Sequence, residues 1–100
     1  MDEEQSAAAF MATVAQMQQA SSQALTATGA AILLAIHLEI ATDSRSIANR
    51  LGLAHALVLR EIAALSPRFL LVTRRDARTQ RSFLEATAEG QVLAASSSRI

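Results

Sequence analysis

The 100-residue chain predicts a mainly α domain with a long N-terminal helix, a helix-turn-helix and a two-stranded β-hairpin. Three observations carry that prediction. Residues 6–25 hold no Gly or Pro and are rich in Ala, Gln and Met. Residues 43–65 read as two short helices about Gly52. Beyond Pro67, the only proline, two β-rich runs flank a polar tip.

The first helix is expected over residues 6–25, where Ala7, Phe10, Val14, Met17, Ser21 and Ala24 recur at steps of three and four and draw one apolar seam. A lone helix of that length is marginal in water, so the seam should be buried. Its two candidate partners are the rest of its own domain and the same helix of a second copy; the second is preferred, which makes these six residues the expected dimer interface. Residues 1–5 are acidic and expected to fray. Thr26 is a cap candidate for a second helix over 27–39, with Ile32, Leu33, Ile36 and Ile40 as its apolar face. His37 on that helix reads as a packing or surface residue. A very short strand is expected at 40–42.

In the helix-turn-helix, Asp43 can accept from the free N–H groups of the opening turn. Ile47 and Leu51 share a face, Gly52 supplies the positive φ that ends the helix, and Leu53 plugs the turn. Val58, Ile62 and Leu65, at i, i+4 and i+7, give the second helix its buried stripe. Ser66-Pro67 stops it, because Pro disfavours helical geometry in the residue before it. Strands are expected over 69–75 and 80–86, joined by the polar tip 76–79, so that the hairpin spans 69–86. Thr87 caps a last helix over 88–95, with Val92 and Leu93 as its apolar contacts. No linker interrupts residues 1–100, which read as one domain.

Zero net charge hides a segregation. Residues 1–43 carry −5 (Asp2, Glu3, Glu4, Glu39, Asp43) and no base. Residues 44–81 carry +6, with Arg45, Arg50, Arg60, Arg68, Arg74, Arg75, Arg78 and Arg81 against Glu61 and Asp76. A concentrated basic face attracts phosphates whatever the total charge, so double-stranded DNA is the expected partner. Catalysis is not expected: there is no Cys, His37 and His55 stand apart, and no Ser-His-acid spacing or Gly-rich phosphate loop occurs. No cofactor or metal is expected for the same reasons. The acidic start is the wrong charge for a secretory signal. The longest apolar-looking run, 24–36, falls short of the roughly 20 residues a membrane span needs, so the chain reads as cytoplasmic.

Helix, helix-turn-helix, basic hairpin and short helix, in that order, make a winged helix-turn-helix. Over roughly residues 25–93 the chain resembles the MarR-type winged-helix transcription regulators. The resemblance rests on Leu25-Thr26 before an apolar helix, on Ile47-Ala48-Asn49-Arg50-Leu51-Gly52-Leu53, on Thr73-Arg74-Arg75-Asp76 through Arg81, and on Ala86-Thr87-Ala88-Glu89-Gly90. It implies a homodimeric DNA-binding regulator with one helix in the major groove and the wing on backbone or minor groove. Carried over by position, it assigns Arg60 to the recognition helix and Arg78 and Arg81 to the wing. It also sets Ser44 and Ser46 at a helix start where a hydroxyl can meet phosphate. Arg74 and Arg75 extend the basic wing, Arg45 and Arg50 are candidate backbone contacts, and His55 is a candidate DNA contact.

Two departures from the family pattern stand out. Ala54, His55, Ala56, Leu57, Leu59 and Arg60 occupy a surface that the family fills with Ser, Thr and Arg, leaving little capacity to hydrogen-bond base edges. At least one of Leu57 and Leu59 is expected to be exposed, which keeps a second reading open: a winged-helix module that binds a protein partner through those leucines. The family also continues into long C-terminal dimerisation helices, whereas ten residues follow Gly90. A dimer is therefore expected to form through the N-terminal helix.

Overall fold

Helix α2 (Ala27–His37) is apolar on every side, and it sits at the centre of the molecule. Ile32, Leu33, Leu34 and Ala35 are fully buried, and α1 (Glu3–Ala20), α4 (His55–Leu65), α5 (Ala88–Ser97) and the hairpin strand β2 (Arg81–Ala86) pack around them. Burial of each such Leu or Ile side chain contributes about 1.5–3 kcal/mol. The remaining elements are α3 (Ser44–Leu51) and β1 (Leu70–Asp76). This computed structural model describes residues 3–97, which form five helices and one two-stranded antiparallel sheet. No helix among the described residues is long and apolar enough to cross a membrane.

Local chemistry sets most boundaries. Thr26 caps α2 by accepting from the Gly29 N–H at 2.8 Å, and its hydroxyl donates to Glu61 on α4. Asp43 caps α3 by accepting from the Ser46 N–H at 3.0 Å. Gly52 ends α3 at φ 67°, where the Leu53 N–H reaches back to the Ala48 carbonyl. Thr87 caps α5 by accepting from the Gly90 N–H at 3.0 Å. The Ser66–Pro67 peptide after α4 is cis.

Several boundaries depart from expectation. Helix α1 stops at Ala20, because Ser21 turns the chain: its hydroxyl donates to the Gln23 carbonyl and accepts from the Gln23 N–H. Ser21 and Ala24 therefore lie off the helix. Val14 and Met17 are buried in the domain's own core, and Phe10 packs partly against it. The expected dimer seam is thus largely an internal one; of its members on α1 Ala7 stays exposed, as does the neighbouring Met11.

Helix α2 ends two residues early. Glu39 takes φ 57°, and the Ile40 N–H closes onto the Ala35 carbonyl at 2.9 Å. The strand expected at 40–42 shrinks to a single bridge between Asp43 and Phe83, plus a bond from the Leu84 N–H to the Thr42 carbonyl. On α5 Leu93 and Ala94 face the core, while Val92, expected to pack, is 67% exposed.

Strands β1 and β2 pair from Leu70 opposite Ala86 out to Asp76 opposite Arg81. Between Val72 and Arg74 the register shifts, and Thr73 is the extra residue. Ser82, Leu84 and Ala86 line the buried face of β2. The shift sets Arg74 opposite Phe83, whereas unbroken pairing would set it opposite Ser82.

Candidate nucleic-acid interface

The N-termini of α3 and α4 meet the hairpin at one joint, and the fully buried hydroxyl of Ser44 lies at its centre. Ser44 Oγ accepts from the Ser82 N–H of β2 at 2.9 Å and lies 2.8 Å from Nε2 of His55, the first residue of α4. One small side chain therefore links α3, α4 and β2. A longer side chain would not fit the closed space, and Ala would strand the Ser82 donor.

Asp43 forms the second layer of the joint. One carboxylate oxygen accepts the Ser46 N–H, the other accepts the Ser46 hydroxyl at 2.8 Å, and Arg81 Nε lies 3.3 Å from the first. Burial pushes the Asp43 carboxyl up. The bonds from Ser46 and the Arg81 guanidinium outweigh burial and hold it below the usual carboxylate range. Arg81 Nε is itself buried and misaligned for a hydrogen bond, so its contact with Asp43 is a pure ion pair. Burial lowers the His55 pKa, the charge of Arg45 adds to that, Asp43 opposes it, and Arg81 lowers it further. These four charged or titratable groups therefore sit within electrostatic reach of one another.

Further guanidinium groups lie beside this joint and along the hairpin. Arg45 Nε donates to the Thr79 carbonyl in the hairpin tip at 3.0 Å, tying α3 to the turn. The Arg74 guanidinium lies 4.1 Å from the Phe83 ring centroid, a cation–π contact that holds a positive charge on the outer face of the sheet. Arg75 is exposed. Arg78 lies in the tip, where its N–H bonds to Asp76 Oδ1 and its side chain is exposed.

Of the residues singled out from sequence, the structure brings Arg45, His55 and Arg81 to the joint, with Arg74 on the outer face of the sheet over Phe83 and Arg75 and Arg78 elsewhere on the hairpin. It does not bring all of them there. Arg50 closes α3 beside Glu39, Asp43 and Asn49. Arg60 is exposed on α4 with Ala56, Ala63 and Ala64, so that helix face offers one donor side chain.

Ser44 and Ser46 leave the expected phosphate-contacting set. Ser44 is enclosed, and the Ser46 hydroxyl proton is already given to Asp43. Arg68 belongs to a different face, where it binds Glu89 at 2.7 Å, Gln23 at 2.8 Å and Ser22 at 3.0 Å. Neither Leu57 nor Leu59 is exposed as expected; both are half-buried. Each stands about 100° around the axis from Val58, at the rim of the buried stripe, so neighbouring elements partly cover both.

Two members of the joint are absent from the sequence expectation. Ser82 carries a signal, since the alternation Ser82, Leu84, Ala86 puts a polar side chain on a buried face. Thr79, which acts through its carbonyl, carries none. Against family models, curated proteins and solved structures the chain finds no match. Among the described residues no group of three His, Cys, Asp or Glu is placed to hold a metal ion.

Proposed function

We propose that the chain is a winged helix-turn-helix DNA-binding regulator of the kind the MarR-type proteins represent, acting in the cytoplasm as a homodimer. Helix α4 lies in the major groove, and the hairpin is the wing, on backbone or minor groove. The observation that carries this reading is the gathering of Arg45, Arg81 and His55 at one joint of an overall neutral chain, with Arg74, Arg75 and Arg78 on the adjoining hairpin. The Ala-rich exposed face of α4 supports affinity from phosphates more than from base edges. A two-fold dimer then favours a near-palindromic site, with half-sites about 34 Å apart.

A fluorescence titration with random-sequence duplex at two salt concentrations tests the reading. Binding should weaken steeply with salt. Replacing Arg75 and Arg78 by Ala should lower the log–log slope by about 0.9 for each phosphate that is no longer neutralised. Those two residues are chosen because Arg81 also holds Asp43. Absence of binding at low salt, or a slope the double variant leaves untouched, rejects the reading. The reading as a protein-binding module loses its main support, because Leu57 and Leu59 are not the open apolar surface it requires.

A further inference from the structure

We propose that Ser44 is a positioning residue that fixes His55 as a neutral hydrogen-bond donor, with Nδ1–H directed outward to a phosphate oxygen of bound DNA; this rests on the regulator reading above. The argument begins with proton accounting at a closed site. Ser44 Oγ is fully enclosed and already accepts the Ser82 N–H. Its own proton must be donated, and among the described residues the acceptor within reach is His55 Nε2, at 2.8 Å. Accepting that proton leaves Nε2 bare and puts the imidazole proton on Nδ1.

The opposite arrangement, with Nε2–H donating to Ser44, would leave a buried hydroxyl proton without an acceptor. Protonated His55 has the same defect, since its Nε2 must also donate. Burial and the neighbouring Arg45 and Arg81 charges disfavour that cation further, and Asp43 alone opposes them. Nδ1 meets no acceptor within the described chain and is not among its buried unpaired atoms, so it reaches solvent. Its setting is the first residue of α4, beside Arg45 and the hairpin. An unconstrained imidazole favours the Nε2–H form, so the relay reverses the ordinary preference in order to aim a donor outward.

The first test is the imidazole ¹⁵N spectrum of the 100-residue chain near neutral pH, with His37→Gln used for assignment. A pyridine-type Nε2 and a pyrrole-type Nδ1 at His55 are expected, and the reverse pattern overturns the proposal. The second test is duplex binding at pH 7.5. His55→Ala should weaken binding about tenfold with an unchanged salt slope, because a neutral donor displaces no counterion. Ser44→Ala frees the ring to take the Nε2–H form. It should cost a similar factor alone and nothing further in the His55→Ala background.

A slope that falls by about 0.9 in His55→Ala marks a charged contact and overturns the proposal, as do additive effects of the two substitutions. If Ser44→Ala fails to fold, the wild-type spectrum and the His55→Ala slope still decide. A wild-type protein that binds no duplex, yet shows the expected tautomer, rejects the regulator reading and the phosphate contact with it. The Ser44–His55 relay then stands as a structural joint.

Discussion

At the scale of single residues, the joint under the hairpin makes stability depend on pH. The unfolded chain takes up a proton at His55 near the ordinary value of 6.5, and the folded chain does so only at lower pH. Acidification between those values therefore favours the unfolded state. The urea midpoint should be constant above about pH 7, fall as pH drops below 6.5, and lose much of that fall in His55→Ala. Asp43 acts in a separate window. Its carboxyl is held below 3.8, so its contribution is present above that value and disappears as pH falls through the folded pKa. A second residue-scale prediction concerns Glu39, which stands exposed at φ 57° where α2 ends. The left-handed region costs a non-glycine residue roughly 1–2 kcal/mol. Glu39→Gly should raise stability by up to about 1 kcal/mol, the remainder offset by the greater freedom of Gly in the unfolded chain. A lowered thermal midpoint would show that the Glu39 side chain, which borders Asn49 and Arg50, does more than fill a turn.

At the scale of elements, α5 passes very close to the backbone that leads into β1. A Cβ built on Gly90 would lie 2.0 Å from the Phe69 carbonyl oxygen, and that oxygen is fixed by accepting the Thr87 N–H. Backbone cannot yield as a flexible side chain can. Gly90→Ala should therefore cost about 3 kcal/mol, the top of the usual overpacking range, and a loss under 1 kcal/mol in chemical denaturation would contradict this packing. The contrast between such features and the helix caps marks what was legible in sequence. Thr26, Asp43, Gly52 and Thr87 act on backbone within a few residues of themselves, so residue type and spacing reveal them. The extra residue at Thr73 and the enclosure of Ser44 depend on segments distant in sequence, which periodicity does not report, and the local Ser21–Gln23 turn that ends α1 lies inside an unbroken three-and-four spacing. The basic hairpin could be read as a run of Arg, but its contact with α3 through Arg45 and the Thr79 carbonyl could not. Two serines at a helix start looked alike in sequence, and only the fold separates the enclosed Ser44 from the half-buried Ser46.

At the scale of the whole molecule, the fate of the α1 seam decides how two copies can meet. A dimer built on the full seam would compete with the core for Val14 and Met17, and the core already holds both at full burial. What remains outward is the first half of α1. There Ala7, Phe10 and Met11 face Ala31, Leu51 and Leu53 across an apolar hollow of about 540 Å³, and Met11 is 53% exposed. The homodimer proposal thus narrows to that half of the helix, and the two kinds of seam residue should behave differently. Met17→Ala should cost about 2–5 kcal/mol of folding stability through the cavity it leaves, while the dimer constant of the folded protein stays unchanged. Met11→Asp should do the reverse, leaving the denaturation midpoint of the dilute protein nearly intact and weakening association tenfold or more, because it places a charge in the apolar contact. Light scattering over a hundredfold concentration range measures both, with twice the 10.6 kDa chain mass expected for the wild type at the upper end. A wild-type chain that stays at single mass throughout, or a Met11→Asp protein that associates as tightly as its parent, would remove α1 as the dimer contact. The two-fold arrangement of recognition helices would then need a different surface.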